Sequence, residues 1–340
     1  MERVRSIHKI LAQKEDSRDL MHLVRDRGFC RQCGGCVSFC TAMEYQEIEF
    51  QEDGLPIYQN GSDCSLECGL CYMICPVTEN LKNEAREMVS WVPPHGRIMG
   101  AYAENGREGQ RKNLKLSESL IGVLLHLFDA GRIDGAVLTT KAFNEGNGAW
   151  LGTSRQDIMT MKEITGDKVS DVIKFSLPSY SEALVHARKR GLKHLAFAGM
   201  PCEIETTRNM QVLGIIPADI IDYRLGLFCS TDALHDQEQK IPGGSGKEFS
   251  ACHLCPEFSA ELADISFGFA PGASRSIALI RTPVGWDAFM GAARKDMVNV
   301  ARIQDSSQLM QDIQELADRK KNSAQRIFAG NHSEIKEHVA

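Results

Sequence analysis

Eight cysteines fall in two short runs, CRQCGGCVSFC at residues 30–40 and CSLECGLCYMICP at residues 64–76. The first reads Cys30-x2-Cys33-x2-Cys36-x3-Cys40, and the second Cys64-x3-Cys68-x2-Cys71-x3-Cys75-Pro76. Four more stand far downstream, at Cys202, Cys229, Cys252 and Cys255. Thiolates are soft ligands, and clusters of them at gaps of two and three residues hold zinc or iron–sulfur groups. Twelve cysteines in 340 residues are too sparse for a disulfide-stapled scaffold. The N-terminus shows no continuous apolar stretch or small-residue cleavage site, so a reducing compartment and metal ligation are expected.

The spacing follows that of two-cluster bacterial ferredoxins, C-x2-C-x2-C-x3-C-P, in which the last cysteine of each run serves the other cluster. On that pattern Cys30, Cys33, Cys36 and Cys75 hold one [4Fe-4S] cluster, and Cys64, Cys68, Cys71 and Cys40 hold the second. Gly34, Gly35 and Gly69 let the backbone wrap closely between the thiols. Two departures stand out: Thr41 replaces the usual proline of the first run, and the second run has one extra residue, near Glu67, in its first gap. Zinc is the competing ligand chemistry, but zinc sites usually use cysteine pairs set further apart. Between the runs, YQEIEFQEDGLPIY predicts a short hairpin with a turn at Asp53-Gly54.

These residues need elements to position them. A chain of this length, 43% hydrophobic, can bury one large core and one small one. Its net charge of -6 argues against nucleic-acid binding, and no apolar run is long enough to predict a transmembrane segment. Residues 1–28 read as an amphipathic helical lead with Val4, Ile7, Ile10 and Leu11 on one side. Residues 29–80 form the two-cluster ferredoxin-like domain, and 81–97 a helix and proline-rich linker broken at WVPPHG. In residues 98–305, SESLIGVLLHLFDAG predicts a helix capped by Ser117 or Ser119 and stopped at Gly131. IDGAVLTT, LKHLAFAG, IDYRLGLFC, ADISFGFA and SRSIALIRT predict strands, and SYSEALVHARKRG a second amphipathic helix. Helix and strand alternate, so the fold class is α/β with a central sheet. Cys202 and Cys229 then lie just beyond strand ends, where ligand sites of such sheets gather. Spacing alone makes the four downstream thiols a metal or cluster site. Residues 306–340 predict a C-terminal docking helix, with Leu309, Ile313, Leu316 and Ile327 on one face and no ligand set.

The stretches RIDGAVLTT, AFAGMPCEIETTR, LGLFCS, ACHLCPEFSAELADISFG and ALIRTPVGWDAF, in that order, resemble the coenzyme F420 hydrogenase/dehydrogenase beta-subunit family. The likeness covers roughly residues 30–300. It implies a third [4Fe-4S] cluster on Cys202, Cys229, Cys252 and Cys255, and FAD beside which the deazaflavin F420 stacks as substrate. In that family a glycine pair opens the helix before IDGAV. Here Ser119 and Leu120 stand in its place, so FAD is either held in a shifted pose or absent. By the resemblance, Ser117 and Ser119 lie on the flavin side, and Lys168 in ITGDKVSD matches a lysine of a second flavin-side stretch. F420 carries an anionic tail, for which Lys141, Arg155 and Lys168 are the candidate cations.

The resemblance therefore implies an iron–sulfur electron-transfer subunit, FAD-dependent, that exchanges a hydride with F420 and passes single electrons to or from a partner redox protein. Alternatives are a relay subunit without FAD and a ferredoxin-dependent reductase of another organic substrate. Hydride transfer through a cofactor needs no side-chain acid or base, so no catalytic residue is expected among the histidines, His95 and His253 included. Expected partners are a hydrogenase, a formate dehydrogenase, a heterodisulfide reductase or a membrane F420H2 dehydrogenase. The expected location is cytoplasmic, or at the membrane's inner face through such a partner. The electron exit is expected near Cys33 or Cys68, with Phe39 or Leu66 as the contact. PGGSGKE at 242–248 lacks the first glycine of a phosphate loop and reads as a plain loop.

Overall fold

The computed structural model describes residues 15–51, 54–59, 68–104, 117–139, 148–163, 176–177, 179–229, 251–269, 276–305 and 307–335. Two strands, β1 (Ile48–Phe50) and β2 (Pro56–Tyr58), make the expected antiparallel hairpin, with Ile48 opposite Tyr58. Around it stand α1 (Ser17–Leu20, continued by a π-helical turn over Met21–Arg25), α2 (Gly35–Ala42) and α3 (Leu70–Ile74). Asp16 caps α1 through the backbone N–H groups of Arg18 and Asp19. Leu20, Met21, Val24, Val37 and Ile48 form a small core that also takes in Cys40 and Cys71.

The rest is a three-layer α/β arrangement, as the helix–strand alternation predicts. Its strands are β3 (Gly100–Glu104), β4 (Gly135–Thr139), β5 (Ala149–Gly152), β6 (Ser176–Leu177) and β7 (Leu195–Gly199). They are followed by β8 (Ile221–Leu227), β9 (Ile265–Phe269), β10 (Ser276–Ile280) and β11 (Val300–Ile303). Among the described residues they form one nine-stranded sheet in the order β11-β3-β10-β9-β8-β7-β4-β5-β6. The neighbours β4, β7, β8 and β9 run parallel, and the pairs toward both edges are antiparallel.

The sheet is covered on both faces, and the period of two decides which side chain goes where. Tyr102, Ala278 and Ile280 face a core shared with α5 (Glu118–Asp129) and α9 (Pro283–Arg294). Their neighbours Ala101, Ala103, Ile277 and Leu279 face the other way, onto Ile313, Leu316 and Ala317 of α10 (Gln308–Ile335). On this second face, Val137, Leu195 and Phe197 pack under α7 (Tyr180–Lys189) and α8 (Pro201–Leu213). Phe39 of α2, Met73 and Ile74 of α3, and Leu81 and Ala85 at α4 (Lys82–Met88) join that same core. The cysteine-rich segment is thus seated on the sheet through α7 and α8. Phe39, an expected partner contact, is instead only 2% exposed, because its ring fills this shared core. The remaining helix, α6 (Arg155–Glu163), lies against the first face through Ile158.

Candidate metal centre

The site begins at the two short helices. Gly34 and Gly69 occupy the N-caps of α2 and α3 with φ of 76° and 50°, a left-handed conformation that glycine adopts without penalty. The helices start immediately after these turns, which bring the thiols on both sides of each glycine to one place. Cys30, Cys33 and Cys36 of the first run and Cys75 of the second line a single cavity, floored by Gly35 and Thr206. This is the set that the ferredoxin spacing groups together. Burial, then the neighbouring thiols of Cys30 and Cys33, push the Cys36 thiol far up. Burial pushes Cys75 up to about 12, with Cys33 adding to it. Four thiols so placed cannot ionise together without a cation among them, which is the chemistry of a metal-thiolate donor set. Among the described residues no three His, Cys, Asp or Glu side chains meet as a site for a single metal ion. The thiols line a cavity wall without converging on one point, which fits a polynuclear group better than one zinc ion.

Of the second set, Cys64 lies outside the described residues. Cys40 and Cys71 are buried in the small core, and Cys40 accepts a hydrogen bond from the Glu47 N–H at 3.2 Å. Burial raises the Cys40 thiol, and Cys68 is near enough to raise it further.

The downstream thiols gather past the ends of β7 and β8. Pro201 opens α8, and the Glu203 carboxylate holds that opening by accepting from the Met200 N–H and the Thr139 hydroxyl, each at 2.7 Å. Cys202 is therefore fixed in the first turn. Cys229 follows β8 by two residues, and its N–H donates to the Phe258 carbonyl at 2.7 Å. Cys252 lies in a 3-10 turn, Ala251–Leu254, and its carbonyl accepts from the Cys255 N–H at 3.1 Å. Two cations tie these thiols together. Burial works against the charge of Arg31, but Cys255, Glu205, Cys202 and Cys75 outweigh it and raise its pKa. Lys320 of α10 is 4% exposed and donates to the Cys229 sulfur at 3.2 Å. A four-thiol donor set flanked by buried cations suits a thiolate-ligated, negatively charged metal group.

The two regions touch. The Thr206 hydroxyl lies 3.3 Å from the Cys33 sulfur and donates to the Cys202 carbonyl at 2.9 Å. A Cβ on Gly35 would stand 2.0 Å from Cγ2 of Thr206, so only glycine lets α2 approach α8 this closely. Beside them Arg31 pairs with Glu205 at 3.5 Å.

The flavin-side residues are arranged differently from the sequence expectation. Ser117, not Ser119, caps α5, accepting from the Ser119 and Leu120 N–H groups. The Ser117 hydroxyl donates to the Glu104 carboxylate at 2.7 Å, and the Ser119 N–H donates to the same oxygen at 2.7 Å. Burial works to raise the Glu104 pKa, but the bonds from Ser117, Ser119 and Ser276 outweigh it and keep the carboxyl below its usual range. A buried carboxylate of the chain itself thus takes the N-terminus of α5, where an anionic phosphate would have to bind. The described residues here do not fit a flavin phosphate. Arg155 is exposed and pairs with Asp129 at 3.1 Å. Lys141, Lys168 and the 242–248 loop lie outside the described residues.

Sequence reasoning had no part for Arg31, Glu205, Thr206, Glu104 or Lys320. The stretch PCEIETT carried the only signal, two glutamates within a turn of a cysteine at a strand end. Asp264, from the ADI stretch, is structural: it accepts from the Arg224 N–H at 2.8 Å and the Thr282 hydroxyl at 2.8 Å, joining β8, β9 and α9.

Residues 233–306 match the family described as the C terminus of the coenzyme F420 hydrogenase/dehydrogenase beta subunit. Two of the stretches that carry the resemblance, ACHLCPEFSAELADISFG and ALIRTPVGWDAF, fall inside that match, and the family expectation is borne out. The chain is 23% identical over 341 aligned positions to the coenzyme F420-dependent sulfite reductase of Methanocaldococcus jannaschii, covering 84% of this chain and 49% of that protein. It thus spans about half the length of that relative. It is 24% identical to the F-type subunit of the F420H2 dehydrogenase of Methanosarcina mazei, over 79% of this chain and 83% of that protein. A chain of the F420-reducing [NiFe] hydrogenase complex from Methanosarcina barkeri aligns with a TM-score of 0.48 at 17% identity, over 71% of this chain and 94% of that one.

Proposed function

We propose, on the premise that residues 233–306 carry the C-terminal region of a coenzyme F420 hydrogenase/dehydrogenase beta subunit, that this chain is an iron–sulfur electron-transfer subunit of an F420-linked oxidoreductase. The observation that carries the reading is the gathering of Cys30, Cys33, Cys36 and Cys75, from two separate runs, around one cavity. Cys40, Cys64, Cys68 and Cys71 would hold a second cluster, and Cys202, Cys229, Cys252 and Cys255 a third. Clusters of this type supply one-electron carriers when bound, whereas F420 exchanges a hydride.

The chain's own residues order these sets. Thr206 and Gly35 press the Cys33 cavity against α8, so Cys33 faces inward and is no surface exit. The outer set is the one with Cys40 and Cys68. Next to it Tyr45, whose N–H donates to the Cys40 carbonyl, is 48% exposed. In this reading that aromatic side chain, not Phe39, marks where a partner redox protein of the hydrogenase, dehydrogenase or reductase type docks. Among the described residues no helix is long and apolar enough to cross a membrane.

A relay without flavin is the second reading, and the Glu104–Ser117 closure of α5 favours it over FAD bound at that helix. Anaerobic purification tests both. The first reading expects about twelve iron atoms per chain and F420H2-driven reduction of a viologen dye. Zinc in place of iron would sink it. A flavin spectrum in the purified chain would remove the relay reading.

A further inference from the structure

The buried face of α10 runs through Ile313, Leu316, Ala317, Lys320 and Ala324. Spacings of three and four residues put all five on one stripe. Four of them are apolar and pack toward the sheet, so an apolar residue at position 320 would extend the face without interruption. The chain places a lysine there, 4% exposed. A buried ammonium is costly unless negative charge answers it. Its Nζ lies 3.1 Å from the Cys229 carbonyl and 3.2 Å from the Cys229 sulfur, and Cys255 feels its charge. The neighbouring Lys321 points elsewhere, donating to Glu261 at 2.6 Å. Glu261 in turn accepts from the Trp91 indole at 2.7 Å. The helix is thereby pinned on one side by a structural lysine, and it delivers the other lysine to a thiol.

We propose that Lys320 is a positioning residue for the metal group of the downstream set, hydrogen-bonding the Cys229 sulfur and answering the negative charge that ligation puts on it. This rests on the reading of Cys202, Cys229, Cys252 and Cys255 as a cluster site. The tail is then part of a site, which corrects the expectation that it only docks. A charged donor to a ligand sulfur withdraws electron density and favours the reduced cluster, so Lys320 raises that cluster's potential relative to an apolar neighbour.

The test uses the full chain purified anaerobically, with iron analysis and an EPR-monitored redox titration. Lys320→Met keeps the length and suits the apolar stripe. It is expected to lower the midpoint potential of one cluster signal and leave the others in place, or to remove that cluster alone, taking iron from about twelve to about eight per chain. Lys320→Arg is expected to stay near wild type. Lys321→Met, which loosens the tail without touching Cys229, is expected to move no potential. Unchanged potentials with full iron in Lys320→Met overturn the inference. So does the same shift in Lys321→Met, which would assign the effect to tail packing, or loss of iron from all sets, which would assign it to folding. A wild-type chain with about eight iron atoms, insensitive to Cys252→Ser, overturns the third-cluster reading itself and is told apart by that count.

Discussion

The Thr206 hydroxyl stands between two cysteines 169 positions apart in sequence: 3.3 Å from the Cys33 sulfur and 2.9 Å from the Cys202 carbonyl. One fully buried side chain thus touches both thiol sets. Thr206→Val keeps the shape and deletes the hydroxyl. It is expected to cost about 1 kcal/mol of stability, leave iron content unchanged and shift the potential of the cluster on Cys33. Thr206→Ser should restore the potential. A redox titration in which Val and Ser variants behave alike would show that the hydroxyl does not act on the sulfur.

Gly35 sets how closely α2 approaches α8. In Gly35→Ala the new methyl would stand 2.0 Å from Cγ2 of Thr206. The expected result is overpacking that costs about 1–3 kcal/mol and a weakened cluster signal from the first set. Combining it with Thr206→Ser removes the clashing methyl and should recover most of the loss. No recovery in the double variant, measured by iron content and thermal unfolding, would place the damage in the α2 turn itself.

Arg31 and Glu205 are each 11% exposed at the side chain and 3.5 Å apart. Removing one partner leaves the other charge buried alone. At pH 8, Arg31→Met is expected to destabilise the chain by about 3–5 kcal/mol, and Arg31→Met with Glu205→Met to recover much of it. A double variant as unstable as the single one, in denaturant titrations under argon, would mean the arginine acts through the thiols alone.

The same glutamate gives a pH dependence. Burial, only partly offset by Arg31, raises Glu205 from 4.5 to about 7. The folded chain therefore binds this proton more tightly than the unfolded one. Its contribution to stability is complete below 4.5 and is lost as pH rises through about 7. Glu205→Gln, which resembles the protonated form, should flatten that part of the profile. A Gln variant with the wild-type slope between pH 5 and 7 would assign the titration elsewhere.

Ser117→Ala removes the cap of α5 and one of the bonds that hold Glu104. The expected cost is about 1 kcal/mol, with no change in flavin content. Flavin present in the wild type and lost in this variant would show that the serine belongs to a flavin site after all.

Much of this architecture was legible from local pattern. The strand over IDGAVLTT, the hairpin at Ile48 and Tyr58, the Ser117 cap and the stop at Gly131 all follow from period, capping chemistry and turn residues close in sequence. The grouping of Cys75 with Cys30, Cys33 and Cys36 was legible too, because ligand spacing encodes which thiol steps across. What was not legible depends on distant chain. Phe39 looks like a surface aromatic beside a ligand until α7 and α8 close over it. Lys320 reads as one more basic residue in DRKKN until the stripe from Ile313 to Ala324 turns it inward. Glu104 looks unremarkable until β3 brings it under α5. Burial of a charge is a property of what packs on it, and local sequence does not state that.

The seating of Cys75 among the thiols of the first run also bears on assembly. With one wall of that cavity supplied by the second run, the first run cannot finish its binding site until the chain beyond β2 has folded back. Neither run is a separable module. Cleavage between residues 51 and 68 or deletion of either half is expected to abolish metal loading in both, so the order of biogenesis is fixed: the backbone closes first, and the metal is admitted to both places together.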